Sequence, residues 1–339
     1  MSSGLLDALP AEHRSRLREA PPGADLAARP MLATLSDRRD FEGGGWLFER
    51  KLDGIRVLAV REGEDVRLLS RTGKPLNGSY PEIAEALARQ HSTDFTVDGE
   101  IVAFAAGRTD FARLQQRMQL SDPRQARASG VAVTYYLFDL LRLDGADVRA
   151  LPLRARKQLL RGALDFRAPL RFTTHRNQGG QQLLDDACSR GWEGLIAKVA
   201  EGRYLPRRSP DWLKLKCEAG QEFVIGGYTE PSGSRVGFGA LLLGHYQDGR
   251  LRYAGKVGTG YNQATLLDLR RRLGELARQT SPFADPVREK GARWTSPELV
   301  AEVGFTEWTR DGRLRHPRFL GLREDKRPQD VVREKPKPG

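Results

Sequence analysis

The chain has 339 residues, of which 39% are hydrophobic, and its 56 Lys and Arg residues outnumber 44 Asp and Glu residues to give a net charge of +12. This length fits two domains of about 100–200 residues each, and the apolar content is enough for a core, which excludes global disorder. The basic excess favours a polyanionic partner, nucleic acid before membrane, although an Arg-rich genome is an alternative explanation of the charge alone. No segment approaches about 18 uninterrupted apolar residues, so no membrane span is predicted.

The two cysteines, Cys188 and Cys217, stand far apart in the sequence. Neither a disulfide nor a structural zinc site is therefore expected, and a reducing cytoplasm fits. Residues 1–29 lack the pattern of a secretory signal and are expected to form a peripheral segment, with a short helical pattern, AEHRSRLREA, that ends at PPG. The proline-rich, charged residues 333–339 are expected to form a mobile tail.

From Trp46 onward the pattern alternates between strands and helices. The stretch WLFERKLDGIRVLAVREG predicts one strand, joined to a second, DVRLLSRTG, by a turn at residues 62–65. Helices are predicted in PEIAEALARQ (81–90, with a proline in its first turn), FARLQQRM, LPLRARKQLLRGAL and GGQQLLDDACSRG. The remaining strands are predicted in FTVDGEIVAF (95–104), VAVTYYLFDLLRL (131–143), EGLIAKV (193–199) and WLKLK (212–216).

The pattern changes after CEAGQ, where short strands are separated by Gly, Ser and Asp-Gly turns. A single helix, QATLLDLRRRLGELAR (263–278), interrupts these strands. Several short strands with one helix are typical of a small antiparallel barrel of the OB type. The sequence therefore predicts a first domain over residues 30–220 and an OB-fold domain over residues 221–332.

The stretch FERKLDGIRV (48–57) places Lys51, Asp53 and Arg56 among residues that otherwise predict a strand. A lysine attacks an electrophile only as the neutral amine, and partial burial and neighbouring cations lower its pKa from about 10.4. Lys51 has Arg50 and Arg56 nearby, and Asp53, two residues further on, would share its face of a strand. From these residues alone, a solvated edge strand and a catalytic strand are equally good interpretations.

KLDGIR satisfies the Lys-x-Asp-Gly-x-Arg motif of the covalent nucleotidyltransferase superfamily, which includes ATP-dependent DNA ligases, RNA ligases and mRNA capping enzymes. The sequence resembles this family, because the further motifs follow in the family's order. They are SRTGK (Arg71), DGEIV (Glu100), YYLFDLL (Phe138), EGLIAKV (Glu193 and Lys198), WLKLK (Lys214 and Lys216) and RHPRFLGLREDK (Arg315, Arg323, Asp325 and Lys326). In the second domain, FVIGGYTEPSGSRVGFGALLLG and YAGKVGTGY are similar to the ligase module of bacterial end-joining DNA ligases.

The resemblance implies an α+β fold: a nucleotidyltransferase (ATP-grasp-like) adenylation domain of antiparallel sheets and flanking helices, followed by a C-terminal OB-fold barrel. It implies that Lys51 takes AMP from ATP, that the AMP moves to the 5′-phosphate of a nick, and that the 3′-hydroxyl then displaces it. The expected cofactors are ATP and Mg²⁺ or Mn²⁺. The expected protein is a cytoplasmic monomer, associated with the bacterial nucleoid, that binds nicked or broken duplex DNA in repair. A Ku-like partner is left open.

Two alternatives to a DNA ligase are kept. The first is an RNA ligase or a GTP-dependent capping enzyme, which would share the covalent step. The second is a nucleic-acid-binding module that keeps the fold without the chemistry.

The residue types suit cleavage of a phosphoanhydride, which requires cations around the developing negative charge. Lys214 and Lys216 alternate with leucines and would present both ammonium groups on one strand face, although an ordinary wet face has the same pattern. Phe138 would stack on adenine, or belong to the core. Glu193 suits Mg²⁺, and the resemblance gives Glu100 the metal or the ribose hydroxyls.

The resemblance also places Glu49 near the adenine edge and includes Lys198 among the ATP-binding residues. Arg56 and Arg71 would bind the 5′-phosphate of the nick, for which the guanidinium fork is well shaped. Arg323 and Lys326, in the last motif, would reach the β- and γ-phosphates. A solvated charge cluster is the alternative interpretation of LREDK.

Overall fold

The computed structural model describes residues 3–38, 40–41, 44–217, 220–231 and 236–334. The chain forms two compact units, and the first ends at Cys217. The second comprises the described residues from Gly220 onward. No helix in the described ranges is long and apolar enough to cross a membrane.

The first unit contains eight helices within the described residues. They are α1 (Ser3–Asp7), α2 (Ala11–Arg14), α3 (Gly23–Ala27), α4 (Pro81–Ala88), α5 (Phe111–Met118), α6 (Pro123–Ala128), α7 (Leu153–Ala163) and α8 (Gly180–Ser189). The four predicted helices are confirmed as α4, α5, α7 and α8, each within a few residues of its sequence pattern. The helix predicted near the N-terminus is only four residues long, because the chain after it enters a short strand.

The strands of the first unit, as described, are β1 (Arg18–Glu19), β2 (Leu32–Leu35), β3 (Trp46–Arg50), β4 (Ile55–Glu62), β5 (Asp65–Ser70), β6 (Asp94–Ala105), β7 (Arg108–Thr109), β8 (Val133–Leu143), β9 (Ala146–Asp147), β10 (Leu170–Phe172), β11 (Gly194–Val199) and β12 (Arg208–Lys216). They form two sheets. The large sheet has the order β1-β9-β8-β6-β4-β5, with β10 beside β8 and β7 beside β6. The small sheet has the order β2-β12-β11-β3. Most pairings are antiparallel, as predicted; β10 with β8 and β12 with β2 are parallel.

The single strand predicted from Trp46 onward is wrong, because the chain changes sheets in its middle. β3 pairs with β11 in the small sheet, whereas β4 pairs with β5 and β6 in the large one. Residues 51–54 connect the two strands and belong to neither. The apolar residues on both sides hide this break in the sequence. The candidate nucleophile therefore lies on a crossover between two sheets.

The main core lies between the large sheet and its helices. α7 packs against β8, α5 against β6 and α4 against β5. Tyr135 and Leu137 of β8, with Leu160 of α7, are fully buried in the same apolar cluster. The long apolar run of β8 and the amphipathic pattern of α7 dictate this packing, because each apolar face can lose its water only against the other.

The N-terminal residues expected to be peripheral pack against the first unit. Leu26 and Ala27 of α3 are buried in a cluster with Phe138 and Trp212. The backbone N–H of Gly23 donates to Glu62 at 2.9 Å, and Leu5 of α1 lies against α7. These helices are too short to show a helical period, so their place in the core could not be predicted from the local pattern.

The second unit is built from strands and one long helix. Its elements, within the described residues, are β13 (Gly220–Thr229), β14 (Leu241–Gln247), β15 (Arg250–Val257), α9 (Gln263–Glu275), β16 (Ala277–Arg278), β17 (Ala292–Thr295), β18 (Val300–Gly304), β19 (Glu307–Trp308), β20 (Leu314–Arg315), β21 (Arg318–Leu322) and a 3₁₀ turn at Pro328–Asp330. β13 pairs with β14, β17 and β18, and β18 pairs with β21. The predicted mobile tail begins at Arg333, whose guanidinium carbon lies 4.3 Å from the ring centroid of Trp308. Residues 335–339 of that tail lie outside the described residues.

Cys188 and Cys217 form a disulfide, so the expectation of two separate thiols is wrong. Cys188 lies in α8 and Cys217 follows the last residue of β12. α8 packs against β11, the neighbour of β12, and this brings the two Cα atoms to 5.2 Å. A separation of 29 residues in sequence carries no signal of that contact.

We expect the cross-link to be measurable as a loss of free thiols and a gain in stability. Protein denatured without reductant should take up no maleimide, and after reduction it should take up two per chain. Closing a loop of this length should raise the free energy of unfolding of the first unit by about 3–4 kcal/mol on the chain-entropy model. Denaturant titrations with and without reductant would measure this, with Cys188→Ser as the control that should not respond. Two reactive thiols before reduction would contradict the pairing.

Candidate active site

Three charged side chains meet beside the crossover at residues 51–54. The ammonium group of Lys51 is ion-paired with the carboxylate of Glu193, and Lys216 Nζ lies 3.7 Å from the same carboxylate oxygen. The backbone N–H of Lys51 donates to the carbonyl of Gly194 at 2.9 Å. The predicted motif residues Lys51, Glu193 and Lys216 are thus brought into one cluster.

Two glycines allow the backbones of this cluster to approach closely. A side chain at Gly54 would place its Cβ 2.2 Å from the carbonyl oxygen of Ile101, and one at Gly194 would place it 1.9 Å from that of Leu215. Gly194 also has a φ of +142°, which side chains rarely adopt. Any other residue at Gly194 would push β11 away from β12, and any other residue at Gly54 would push the crossover away from β6.

The paired strands β11 and β12 set the direction of the two motif lysines. Lys216 lies opposite Gly194, and Lys214 lies opposite Ile196. Leu213 and Leu215 are buried, whereas Lys214 and Lys216 are half-buried, as the alternation in WLKLK predicts. Both ammonium groups therefore belong to the face of β12 away from the leucine core.

A second charged cluster is buried under the small sheet. Glu49 accepts from Lys157 Nζ at 2.5 Å and is ion-paired with Lys198 Nζ at 2.7 Å. Burial by itself would raise the pKa of Glu49, but the two ammonium groups outweigh it and hold the pKa below its usual value. Burial, together with the charge of Lys157, lowers the pKa of Lys198 to about 8. Burial and Lys157 also lower the pKa of the nearby His175.

Phe138 lies between the two sheets and is almost fully buried. Its ring meets Trp212 edge-on with centroids 5.9 Å apart. Lys198 Nζ lies 4.2 Å from the Phe138 ring centroid, and the Arg56 guanidinium carbon lies 4.6 Å from it. The aromatic face expected to stack on adenine is therefore surrounded by cations.

Arg56 is tied into a buried network that the sequence analysis did not foresee. Its guanidinium is paired with the fully buried carboxylate of Asp98 and also donates to the carbonyl of Met31 at 3.2 Å. Tyr204 donates to Asp98 at 2.6 Å. Burial opposes the charge of Arg56, but Asp98 raises its pKa above the usual value. This side chain links the two sheets through the core.

The other predicted residues of the first unit lie around this network. Glu100 of β6 is directly opposite Arg56 of β4 in the strand register. Arg71 follows the last residue of β5 and is half-buried. Asp53 lies on the crossover, so the argument that it shares a strand face with Lys51 is wrong.

The last motif belongs to the second unit. Arg323 donates to Asp325 through two contacts of 2.9 Å, and Lys326 is ion-paired with Glu222 at 2.7 Å. Burial alone would raise the pKa of Asp325, but Arg323 lowers it below its usual value. Arg315 is ion-paired at 2.6 Å with Glu307 in an exposed hairpin. The solvated charge cluster, kept as the alternative interpretation of LREDK, does not describe these residues, because they form specific pairs and Arg323 and Asp325 are mostly buried.

Sequence reasoning missed Lys157 and Asp98. Lys157 lies in α7, whose pattern predicts an amphipathic helix and gives no reason to single out one lysine among its basic residues. Asp98 stands beside Glu100 in DGEIV, and its carboxylate in an apolar strand was a signal that a cation must face it.

No group of three or more His, Cys, Asp or Glu residues in the described ranges is arranged to hold a metal ion. Mg²⁺ usually takes one or two carboxylates and fills its other positions with water and substrate phosphates. The carboxylates of Glu193 and Glu100 are of the right chemical type for such a site.

Comparison with protein families identifies both units. The family described as "ATP dependent DNA ligase domain" matches residues 30–216, which is more than half of the chain, and "ATP dependent DNA ligase C terminal region" matches residues 234–326. The chain belongs to the ATP-dependent DNA ligase family. This confirms the predicted resemblance, and it favours the DNA ligase over the RNA ligase and capping alternatives.

Individual relatives support the same family assignment. The multifunctional non-homologous end joining protein LigD of Pseudomonas aeruginosa is 42% identical over 316 residues, which make up 91% of this chain and 36% of that protein. DNA ligase C1 of Mycolicibacterium smegmatis is 33% identical over 326 residues, 89% of this chain and 92% of that protein. A solved structure, mycobacterial DNA ligase D complexed with ATP and MES, is similar with a TM-score of 0.62 and 35% identity, over 91% of this chain and 98% of that one.

These likenesses confirm the fold class, a nucleotidyltransferase domain followed by an OB-fold domain. The chain is an ATP-dependent DNA ligase domain, an enzyme of a family whose general mechanism passes through lysyl-AMP. It spans little more than a third of the length of the LigD relative.

The lowered pKa of Lys198 predicts a pH dependence of stability in this DNA ligase. The unfolded lysine keeps its proton up to about pH 10.4, whereas the folded one loses it near pH 8. Between these values the unfolded state binds more protons, so the free energy of unfolding rises with pH. We expect wild type to gain stability relative to Lys198→Met from about pH 8 to pH 10, in denaturant titrations. A difference that stays constant over this interval would show that Lys198 titrates normally.

Proposed function

We propose that this ligase seals nicks or breaks in duplex DNA and that Lys51 carries the AMP. The observation that supports this most directly is the cluster of Lys51, Glu193 and Lys216 at the crossover between the two sheets. The backbone N–H of Lys51 donates to the carbonyl of Gly194, which fixes the position of this lysine. Beside it lie the carboxylate of Glu193 and the ammonium group of Lys216, and cleavage of a phosphoanhydride needs such charged groups.

In the first step the neutral amine of Lys51 attacks the α-phosphate of ATP, a phosphoramide bond forms and pyrophosphate leaves. Lys214 and Lys216 stabilise the negative charge on the phosphoryl oxygens, because both lie on the polar face of β12. Phe138 stacks on the adenine, and Glu49 and Lys198 lie at its edge. Arg323 and Lys326 bind the β- and γ-phosphates.

The proposed metal is Mg²⁺ or Mn²⁺, which Glu193 and Glu100 would hold, and Asp53 would orient the metal or the amine of Lys51. When bound, the ion supplies positive charge against the phosphates. The chain's own part is to present carboxylate oxygens and to keep Lys51 within reach.

In the later steps the AMP passes to the 5′-phosphate of the nick and the 3′-hydroxyl displaces it. Arg56 and Arg71 bind the 5′-phosphate, for which the guanidinium fork is well shaped. The net charge of +12 supports binding to DNA. By analogy with the relatives named for non-homologous end joining, we place this enzyme in bacterial break repair at the nucleoid, as a monomer, with a Ku-like protein as its recruiting partner.

Covalent labelling tests the proposed nucleophile. Protein incubated with Mg²⁺ and α-labelled ATP, and then denatured, should carry label that chases onto nicked duplex DNA. Lys51→Ala should lose at least about a thousandfold in labelling, because the residue that bonds to phosphorus is gone. Lys290→Ala, which removes an exposed lysine of the second unit, is the matched control and should label normally.

Three results would contradict the proposal in different ways. Label from GTP alone would indicate a capping enzyme, and chase onto RNA but not DNA would indicate an RNA ligase. Folded protein that takes no label from either nucleotide, with Mg²⁺ or Mn²⁺, would leave the non-catalytic binding module as the better interpretation.

A further inference from the structure

We propose that Lys157, which lies outside every ligase motif, is a positioning residue that orients the carboxylate of Glu49 and thereby sets the preference for a 6-amino purine over a 6-oxo purine. The proposal rests on the function proposed above, in which Glu49 lies at the adenine edge. Base selection would then depend on Lys157, a residue of α7 that contacts neither the phosphates nor the nucleophile.

The geometry assigns one ammonium group to each oxygen of Glu49. Lys157 Nζ lies 2.5 Å from Oε1, and Lys198 Nζ lies 2.7 Å from Oε2. Lys157 also donates to the carbonyl oxygen of Thr173 at 2.9 Å. With all three charged side chains almost fully buried, no water competes for these contacts. The plane of the carboxylate is fixed from both sides.

A carboxylate held in this way still has acceptor capacity, since each oxygen has a second lone pair. It can accept from the exocyclic amino group of adenine, which is a donor. The 6-oxo group of hypoxanthine or guanine is an acceptor and would face a negative charge. A buried site built to bind an N–H group rejects an analogue that lacks it, because its own polar atom is left unpaired.

Lys157, and not Lys198 alone, is needed to keep this arrangement. Lys198 has other attractions, since its ammonium lies 4.2 Å from the ring centroid of Phe138 and 4.1 Å from that of Trp212. Without Lys157, Glu49 would have one partner on one oxygen and could rotate toward it. Its remaining oxygen would then be buried without a partner.

The two partners of Lys157 also explain why a lysine in α7 can control a residue in β3. Glu49 and Thr173 belong to separate segments, and Lys157 bridges them through one ammonium group. The Phe172 ring, with its centroid 4.8 Å from Nζ, covers the amine. The lysine therefore has a defined position before any nucleotide binds.

The test compares lysyl-nucleotide formation from ATP and from inosine triphosphate, at single turnover and over a range of nucleotide concentrations. Variants are Lys157→Met, Lys157→Arg and, as matched control, Arg161→Met. Arg161 lies one turn further along α7 and is exposed, so its removal deletes a cation from the same helix without touching Glu49. Thermal unfolding of each variant reports on folding, and Lys157→Gln replaces the methionine variant if that does not fold.

We expect wild type and Arg161→Met to prefer ATP by at least about a hundredfold. In Lys157→Met that ratio should fall by at least about tenfold, mainly through a higher KM for ATP, and Lys157→Arg should restore most of it. An unchanged ratio in a folded neutral variant, or an equal loss for both nucleotides, would overturn the proposal and leave Lys157 a structural residue. Wild type that takes no label from any nucleotide would instead overturn the proposed function.

Discussion

The change of sheet at residues 51–54 is the constraint on which the rest of the first unit depends. The chain leaves the small sheet after Arg50 and enters the large sheet at Ile55, so four residues must span the gap between them. At that gap Gly54 lies against the backbone of β6, and the N–H of Lys51 reaches β11. Lys51 at this position has one sheet on each side, and both sheets can contribute charged groups near it.

Buried ion pairs stabilise the large sheet and its contacts with neighbouring segments. Asp98 and Asp139, on neighbouring strands of the large sheet, are both fully buried and each faces an arginine, Arg56 and Arg156. An unpaired carboxylate in such a place would cost several kcal/mol, so removing either arginine leaves a penalty far larger than the interaction it contributes. The two pairs therefore specify how the large sheet meets its surroundings, because Arg156 comes from α7 and Arg56 also donates to the carbonyl of Met31, just before β2.

The sequence predicts those elements that show a local helix or strand period, and it predicts the family from the order of its motifs. Helix α5 and strand β8 follow from their own patterns, and the ordered motifs were enough to indicate the ATP-dependent DNA ligase family. The change of sheet after Arg50 could not be predicted, because apolar residues run through it without a break. The contacts of Cys188 with Cys217 and of Lys157 with Glu49 depend on segments far apart in the chain, and no local pattern records which of them meet.

The two glutamates of the candidate site differ in how deeply they are buried. Each has two lysines: Glu193 has Lys51 and Lys216, and Glu49 has Lys157 and Lys198. The side chains of Lys51 and Lys216 are 17% and 10% exposed, whereas those of Lys157 and Lys198 are each 2% exposed. The cluster around Glu193 therefore keeps some access to solvent, whereas the cluster around Glu49 is closed to it and suited to hold a fixed shape. Glu49 lies in β3 and Lys51 begins the crossover, with only Arg50 between them, so the chain places the closed cluster and the more exposed one side by side.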